Sequence, residues 1–109
     1  MVAVTIDQLS RDDLARQVGS AVRVHDHPNV ALTLYEVTER EIAGEWETFS
    51  VRLRGPVDRQ LGQRSYELEH DKFGVVELFI VPIEPDSAGA RYEAVFNRAR
   101  RPDGDLAGG

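Results

Sequence analysis

The sequence predicts a mostly β protein, a small antiparallel barrel or two-layer sandwich of about six strands with one short N-terminal helix. Residues 46–54 alternate apolar and polar side chains with the period of two that is typical of a half-buried strand. Residues 75–81 are apolar on both faces, as in a central strand or the wall of a closed barrel. No interval after Gly19 shows convincing helical spacing, so an antiparallel meander is favoured over parallel crossovers.

The one predicted helix covers about residues 11–18. Ser10 is a good N-cap, and Leu14 and Val18 have the i, i+4 spacing that places them on one helix face. Gly19 supplies the C-terminal stop. Because two turns of helix are unstable alone in water, we expect this helix to dock on the sheet.

Six strands are predicted where apolar and polar residues alternate between turn signals. They cover Val22 and Val24, then residues 30–38, 46–54, 65–70, 75–81 and 91–97. Pro82 and Pro85 are expected to end the fifth strand, because proline cannot donate to a strand ladder. The segment from Asp71 to Gly74 is a predicted hairpin connection. We expect one β-rich domain over residues 1–99 and a disordered tail over residues 100–109.

The amino-acid composition argues against several classes of function. The 109 residues contain no cysteine, which excludes disulfides, thiolate nucleophiles and Cys-ligated zinc. The net charge of −6 argues against nucleic acid, and the basic residues Arg98, Arg100 and Arg101 are interpreted as part of a solvated tail. Without a signal-peptide pattern or an apolar run of roughly 20 residues, the expected location is cytoplasmic and no membrane contact is predicted.

Two groups of residues invite a chemical interpretation. His25 and His27 would lie on the same side of a strand, where paired imidazoles bind zinc or copper, but Pro28 and Asn29 mark a turn and no third ligand is identifiable. We therefore predict a polar hairpin loop and no metal or cofactor. His70 is interpreted as a partly buried structural residue at a strand end, because no nucleophile or oriented pocket accompanies it.

Polar and aromatic side chains on the second faces of strands are the remaining candidates. Arg52 and Arg54 are expected to form cross-strand ion pairs with Glu67 and Glu69 if their strands pair, with an anion-binding arginine pair as the alternative.

Trp46 falls on the polar face of its strand, where it covers the barrel end or the docked helix, or else belongs to a binding surface. Trp46, Tyr35 and Phe79 are therefore the predicted protein-binding anchors, with Arg52 and Arg54 at a polar rim.

Four segments carry a family resemblance: Phe49–Pro56, Tyr66–His70, Leu78–Pro82 and Arg91–Asn97. Their order and spacing resemble a family of short bacterial proteins known as a domain of unknown function, over roughly residues 5–97. The closing Tyr-Glu-Ala-Val-Phe-Asn is the most specific piece. The resemblance implies no activity and no catalytic residue, and it implies an association with phage-tail-collar-like fibre proteins.

The sequence thus predicts a non-enzymatic protein-binding domain, and the resemblance adds an accessory or adaptor role in a phage-tail-like fibre assembly. The alternative is a small-molecule- or metal-binding barrel with hydrolytic activity, centred on His70 with Tyr66 or on His25 and His27. A third prediction is a homo-oligomer formed through an edge strand.

Overall fold

A computed structural model describes the backbone of residues 3–4 and the whole of residues 9–99. Its elements are β1 (Ala3–Val4), α1 (Arg11–Ala15), β2 (Ala21–Val24), β3 (Ala31–Val37), β4 (Glu41–Ala43), β5 (Trp46–Gly55), β6 (Arg64–His70), β7 (Gly74–Asp86) and β8 (Gly89–Ala99). The predicted mostly β fold with one short helix is confirmed. The predicted tail at 100–109 lies outside the described residues.

Six of the strands close into an antiparallel barrel. Around the ring the order is β2, β3, β5, β8, β7 and β6, and β6 pairs again with β2. The short strands β1 and β4, which the sequence did not predict, extend the sheet beside β7 and β5. Of the two predicted architectures, the closed barrel is the one observed.

The barrel interior is filled by one face of each strand. Along β5 the buried positions alternate with partly exposed ones, as the sequence pattern predicted. The largest fully buried side chains are Tyr92, Phe49, Phe96, Leu32, Leu53, Leu68, Ile80 and Val24. Each such side chain contributes roughly 1.5–3 kcal/mol when it leaves water.

The helix is shorter than predicted, because residues 16–19 form turns. Its N-cap is as expected, since the Asp13 N–H donates to Ser10 Oγ at 2.9 Å. Leu14 is buried, but Val18 is 48% exposed, so the second turn has no core contact to stabilise it. Gly19 has φ +100°, a left-handed conformation that ends the segment.

The prediction that the fifth strand ends at Pro82 is wrong. This strand is β7, which continues through Pro82 and Pro85 to Asp86. From Val81 onward this strand pairs with β8, while its partner on the other side, β6, begins at Arg64 opposite Ile80. One edge of β7 therefore has no strand partner among the described residues. An edge tolerates proline, which has no N–H to donate.

One end of the barrel is closed by an inward-facing ion pair. Glu47 shares the inner face of β5, and its Oε2 accepts from Nε of Arg98, its cross-strand partner on β8, at 2.8 Å. The two side chains are only 7% and 11% exposed, and the guanidinium also lies over the stacked rings of Phe49 and Phe96. The interpretation of Arg98 as part of a solvated tail is therefore wrong; Arg100 and Arg101 lie outside the described residues.

The other end of the barrel depends on close backbone approach. Gly89 has φ +147°, and a Cβ there would collide with the carbonyl oxygen of Gly55 on the neighbouring strand. At Gly55 a Cβ would come within 2.6 Å of Leu32 Cδ2 in the core. Position 89 therefore requires glycine for the β5–β8 pairing to reach its end, and a side chain at position 55 would displace the buried Leu32.

Gly89→Ala is expected to lower the free energy of unfolding by about 2 kcal/mol or more, because the new methyl group meets backbone and the φ is unfavourable for alanine. Urea unfolding measures the change. Gly62→Ala is the matched control, since that position has open space and no positive φ. Equal stability of the two variants would contradict this account of the barrel end.

Glu47→Gln is expected to cost about 2 kcal/mol, because it removes the carboxylate from a largely buried guanidinium. Glu45→Gln, at an exposed position on the turn before β5, is the control and should change stability little. Thermal and urea unfolding give both values. If the Glu47 variant is as stable as the control, the ion pair does not stabilise this barrel end.

Candidate functional site

The two histidines of the predicted polar loop make different contacts. His25 faces Glu67 and Glu69 on the outer surface of β6, with its Nε2 3.0 Å from Glu69 Oε1. His27 instead lies edge-on against the ring of Tyr66, with 5.8 Å between the ring centroids. Within residues 9–99, no group of three or more histidine, aspartate or glutamate side chains is arranged to hold a metal ion.

His70 is buried at the end of β6 and has both ring nitrogens engaged. Its Nδ1 accepts from the Lys72 N–H at 2.9 Å, which places the proton of the neutral ring on Nε2. Nε2 lies 2.7 Å from Ser20 Oγ, and the Ser20 hydroxyl donates to the Gln17 carbonyl. The imidazole therefore donates to the serine, the reverse of what a general base does to a nucleophile.

Tyr66 does not form a polar pair with His70, although both face inward on β6. The Tyr66 hydroxyl donates to the Gly62 carbonyl at 2.7 Å. These contacts place His70 and Tyr66 in structural hydrogen bonds. The buried position predicted for His70 is observed, with the Lys72 N–H and Ser20 as its partners.

The environments of His25 and His70 shift their pKa values in opposite directions. The hydrogen bond to Glu69 raises the pKa of His25 above its ordinary value of 6.5. Burial disfavours the imidazolium form of His70 and lowers the pKa of that ring below 6.5.

The predicted rim residues form an ion-paired cluster on the outer surface. The Arg54 guanidinium lies 4.0 Å above the Tyr35 ring, and its Nη2 donates to Asp86 at 2.6 Å, which lowers the pKa of that carboxyl. Arg91 reaches the Tyr35 hydroxyl at 3.3 Å. Tyr35 is therefore half-buried beneath arginines and offers little free aromatic surface.

The predicted pairing of the arginines with Glu67 and Glu69 is wrong. The barrel places β5 and β6 apart, with β2 and β3 on one path between them and β7 and β8 on the other. Arg52 instead bridges Glu36 on β3 and Glu93 on β8, at 2.9 and 3.2 Å. Such partly exposed pairs each contribute only tenths of a kcal/mol.

The predicted anchors do not form one surface. Trp46 and Arg54 stand at opposite ends of β5, about 27 Å apart along the strand. Trp46 and Phe79 are, however, 55% and 52% exposed, and Val95 between their strands is 55% exposed.

Sequence reasoning missed Val95, although the alternation of residues 91–97 placed it on the face opposite Tyr92 and Phe96. Val95 opposes Ser50 on β5 and stands two residues from Glu93, the partner of Val81 on β7.

We call the outward surface of these strands the β5–β8–β7 face. It consists of Trp46, Thr48, Ser50, Val95, Asn97, Phe79 and Val81. None of these side chains is charged, in a chain of which 29% of the residues are. Within the face, Thr48 Oγ1 donates to Asn97 Oδ1 at 3.3 Å.

Acidic residues border this face on the side of β6. Glu77 lies two residues before Phe79 on β7, and directly opposite it across the β6–β7 ladder is Glu67. Like charges that face each other across a ladder repel each other, and only Glu67 of this pair lies close to a basic group, the Nδ1 atom of His25 at 3.5 Å, within the described residues. Their position gives the face one negatively charged border.

The fold and these surfaces define a small closed antiparallel β-barrel with a packed interior, an ion-paired outer region and one uncharged outer face. In the described part of the chain, no helix is both long and apolar enough to span a membrane. The chain belongs to the family described as "Domain of unknown function (DUF6916)", whose model matches residues 9–96. The predicted resemblance to a family of unknown function is thereby confirmed. No curated protein and no solved structure matches the chain significantly.

An NMR titration is expected to give His25 a pKa above 6.5 and His70 a pKa below it. The stabilising effect of neutral His70 is then complete above about pH 6.5 and is lost as the pH falls towards its lower folded-state pKa. That of His25 is complete below about pH 6.5 and is lost as the pH rises through its higher folded-state pKa.

Unfolding of His70→Gln and His25→Gln across this range should show opposite pH slopes relative to the wild type. Two histidines that titrate together near 6.5 would contradict the hydrogen bonds described above.

Proposed function

We propose that this domain is a non-enzymatic protein-binding module that uses the β5–β8–β7 face. The observation that carries the proposal is the exposure of Trp46, Val95 and Phe79 on adjoining strands without an intervening charge. Aromatic and apolar side chains of this kind supply most of the affinity at protein interfaces. The donor role of His70 towards Ser20 supports a function without chemistry.

The border of the face indicates the chemistry of the partner. Glu67 and Glu77 stand beside Phe79, and the whole chain carries a net charge of −6. A partner with an apolar surface bordered by lysine or arginine side chains would complement both features. A second copy of this chain would bring the same acidic border and the same net charge, so we favour a different protein.

The more particular role, an accessory or adaptor of a phage-tail-like fibre assembly, rests on the family resemblance alone. An outer face free of charge on a rigid barrel suits a subunit that is held in an assembly. A cytoplasmic location likewise stays a prediction, which fractionation of the source cells tests.

Site-specific crosslinking tests the proposed face. A photoreactive phenylalanine analogue at position 79 or 95 should crosslink one identified protein in the source cells, while the same analogue at the exposed position 57 should not. With that protein purified, Phe79→Ser should weaken binding about tenfold or more, because a central aromatic anchor is lost. Val57→Ser is the matched control.

The dependence on salt concentration distinguishes the electrostatic contribution to partner binding from the apolar contribution. Glu77→Lys should slow association at low ionic strength, and the effect should fade as salt screens it. If positions 79 and 57 crosslink alike, or Phe79→Ser binds as the wild type does, the proposed face is wrong. Crosslinks between two copies of this chain would show that the face forms a homo-oligomer and not a complex with a different protein.

A further inference from the structure

A cleft of about 340 Å³ lies at the end of the barrel opposite the Glu47–Arg98 pair. One wall is the turn from residues 26 to 30, between β2 and β3, and the other is the β5–β6 loop at residues 59–61. The lining residues that decide its chemistry are Asp26, His27, Asn29, Val30, Arg59 and Leu61. This cleft is separate from the β5–β8–β7 face and shares no residue with it.

The walls of the cleft are fixed by the barrel core. Two buried tyrosines reach outward to the β5–β6 loop: the Leu61 N–H donates to the Tyr92 hydroxyl at 2.9 Å, and the Tyr66 hydroxyl donates to the Gly62 carbonyl. On the opposite wall, the Val30 N–H donates to the His27 carbonyl at 2.9 Å. Because both loops are held by hydrogen bonds, the cleft exists before any ligand arrives.

The floor of the cleft is apolar and its mouth is polar. Val30 and Leu61 are 7% and 5% exposed and form the apolar part. Arg59 stands at the mouth, and in residues 9–99 no carboxylate lies within ion-pair distance of its guanidinium. The carboxylate that lines the cleft, Asp26, is instead paired with Arg64 at 3.4 Å.

Arg59 differs in this respect from the arginines of β5 and β8, which all form ion pairs with acidic side chains. The Arg59 guanidinium keeps its donors for a ligand, and a guanidinium matches a carboxylate with two parallel hydrogen bonds. The imidazole of His27 packs against the Tyr66 ring in a T-shaped arrangement, and Asn29 lines the same wall of the cleft.

We infer that the cleft binds a small organic carboxylate with a compact apolar body, its carboxylate on Arg59 and its body against Val30 and Leu61. The volume is at the lower end of the range for small-molecule sites, which is about 300–1,000 Å³. It suits a ligand of the size of benzoate or a branched short-chain acid. The site is independent of the proposed protein-binding face.

Amide NMR spectra of the full chain, titrated with benzoate, test the inference. Benzoate should shift the signals of residues 26–30 and 59–61, and benzamide, which has the same body without the charge, should bind about tenfold more weakly or not at all. Arg59→Gln should weaken benzoate binding about tenfold. Arg16→Gln, at an exposed position on the turn after α1, should leave it unchanged.

Inorganic phosphate distinguishes a carboxylate site from a general anion site. Phosphate should shift the Arg59 signals weakly and be displaced by benzoate, since it makes no use of the apolar floor. The inference fails if phosphate binds as well as benzoate, if benzamide equals benzoate, or if Arg59→Gln binds as the wild type does. It also fails if benzoate shifts no signal in the two loops.

Discussion

The pairing of β8 with both β5 and β7 is the constraint on which the rest of the structure depends. On one side it forms a continuous ladder with β5 from Trp46 opposite Ala99 to Gly55 opposite Ala90, and on the other it joins β7. These contacts close the open sheet into a ring, in which only the last part of β7, from Val81 onward, keeps one edge without a strand partner among the described residues. Each strand of the ring then has one face inside and one outside. The ladder reaches its last pair because position 89 is a glycine, where a Cβ would meet the carbonyl oxygen of Gly55.

Closure also determines where function is located. The barrel interior is filled by apolar side chains, and its polar groups are used for structure: Glu47 and Arg98 seal one end, while Tyr66 and Tyr92 hold the loop at the other. The buried His70 belongs to the same kind of contact. Because the barrel interior is filled, the surfaces available for recognition are the outer faces of the strands and the cleft between the loops.

The outer surface is divided by charge. Around Arg54 and Arg52, guanidinium groups are matched by carboxylates and cover the Tyr35 ring, so this region is neutralised within the chain. Beyond it lies the β5–β8–β7 face, whose side chains carry no charge and in which Phe79 and Val95 are exposed. An exposed apolar patch is costly in water, and one bordered by charged residues is typical of a surface that a partner covers.

The sequence by itself determined the six strands of the barrel apart from their exact ends, the N-cap of the helix and the sorting of side chains into inner and outer faces. A period of two and a capping hydroxyl are local properties of the chain. It also contained the inward parity of Glu47, which is visible once its strand is aligned with Phe49. Only the tertiary structure decided which strands are neighbours, and therefore that Arg98 is buried against Glu47 and that Pro82 is tolerated at an unpaired edge. Strand order and cross-strand partners join residues far apart in the chain, and no local pattern specifies them.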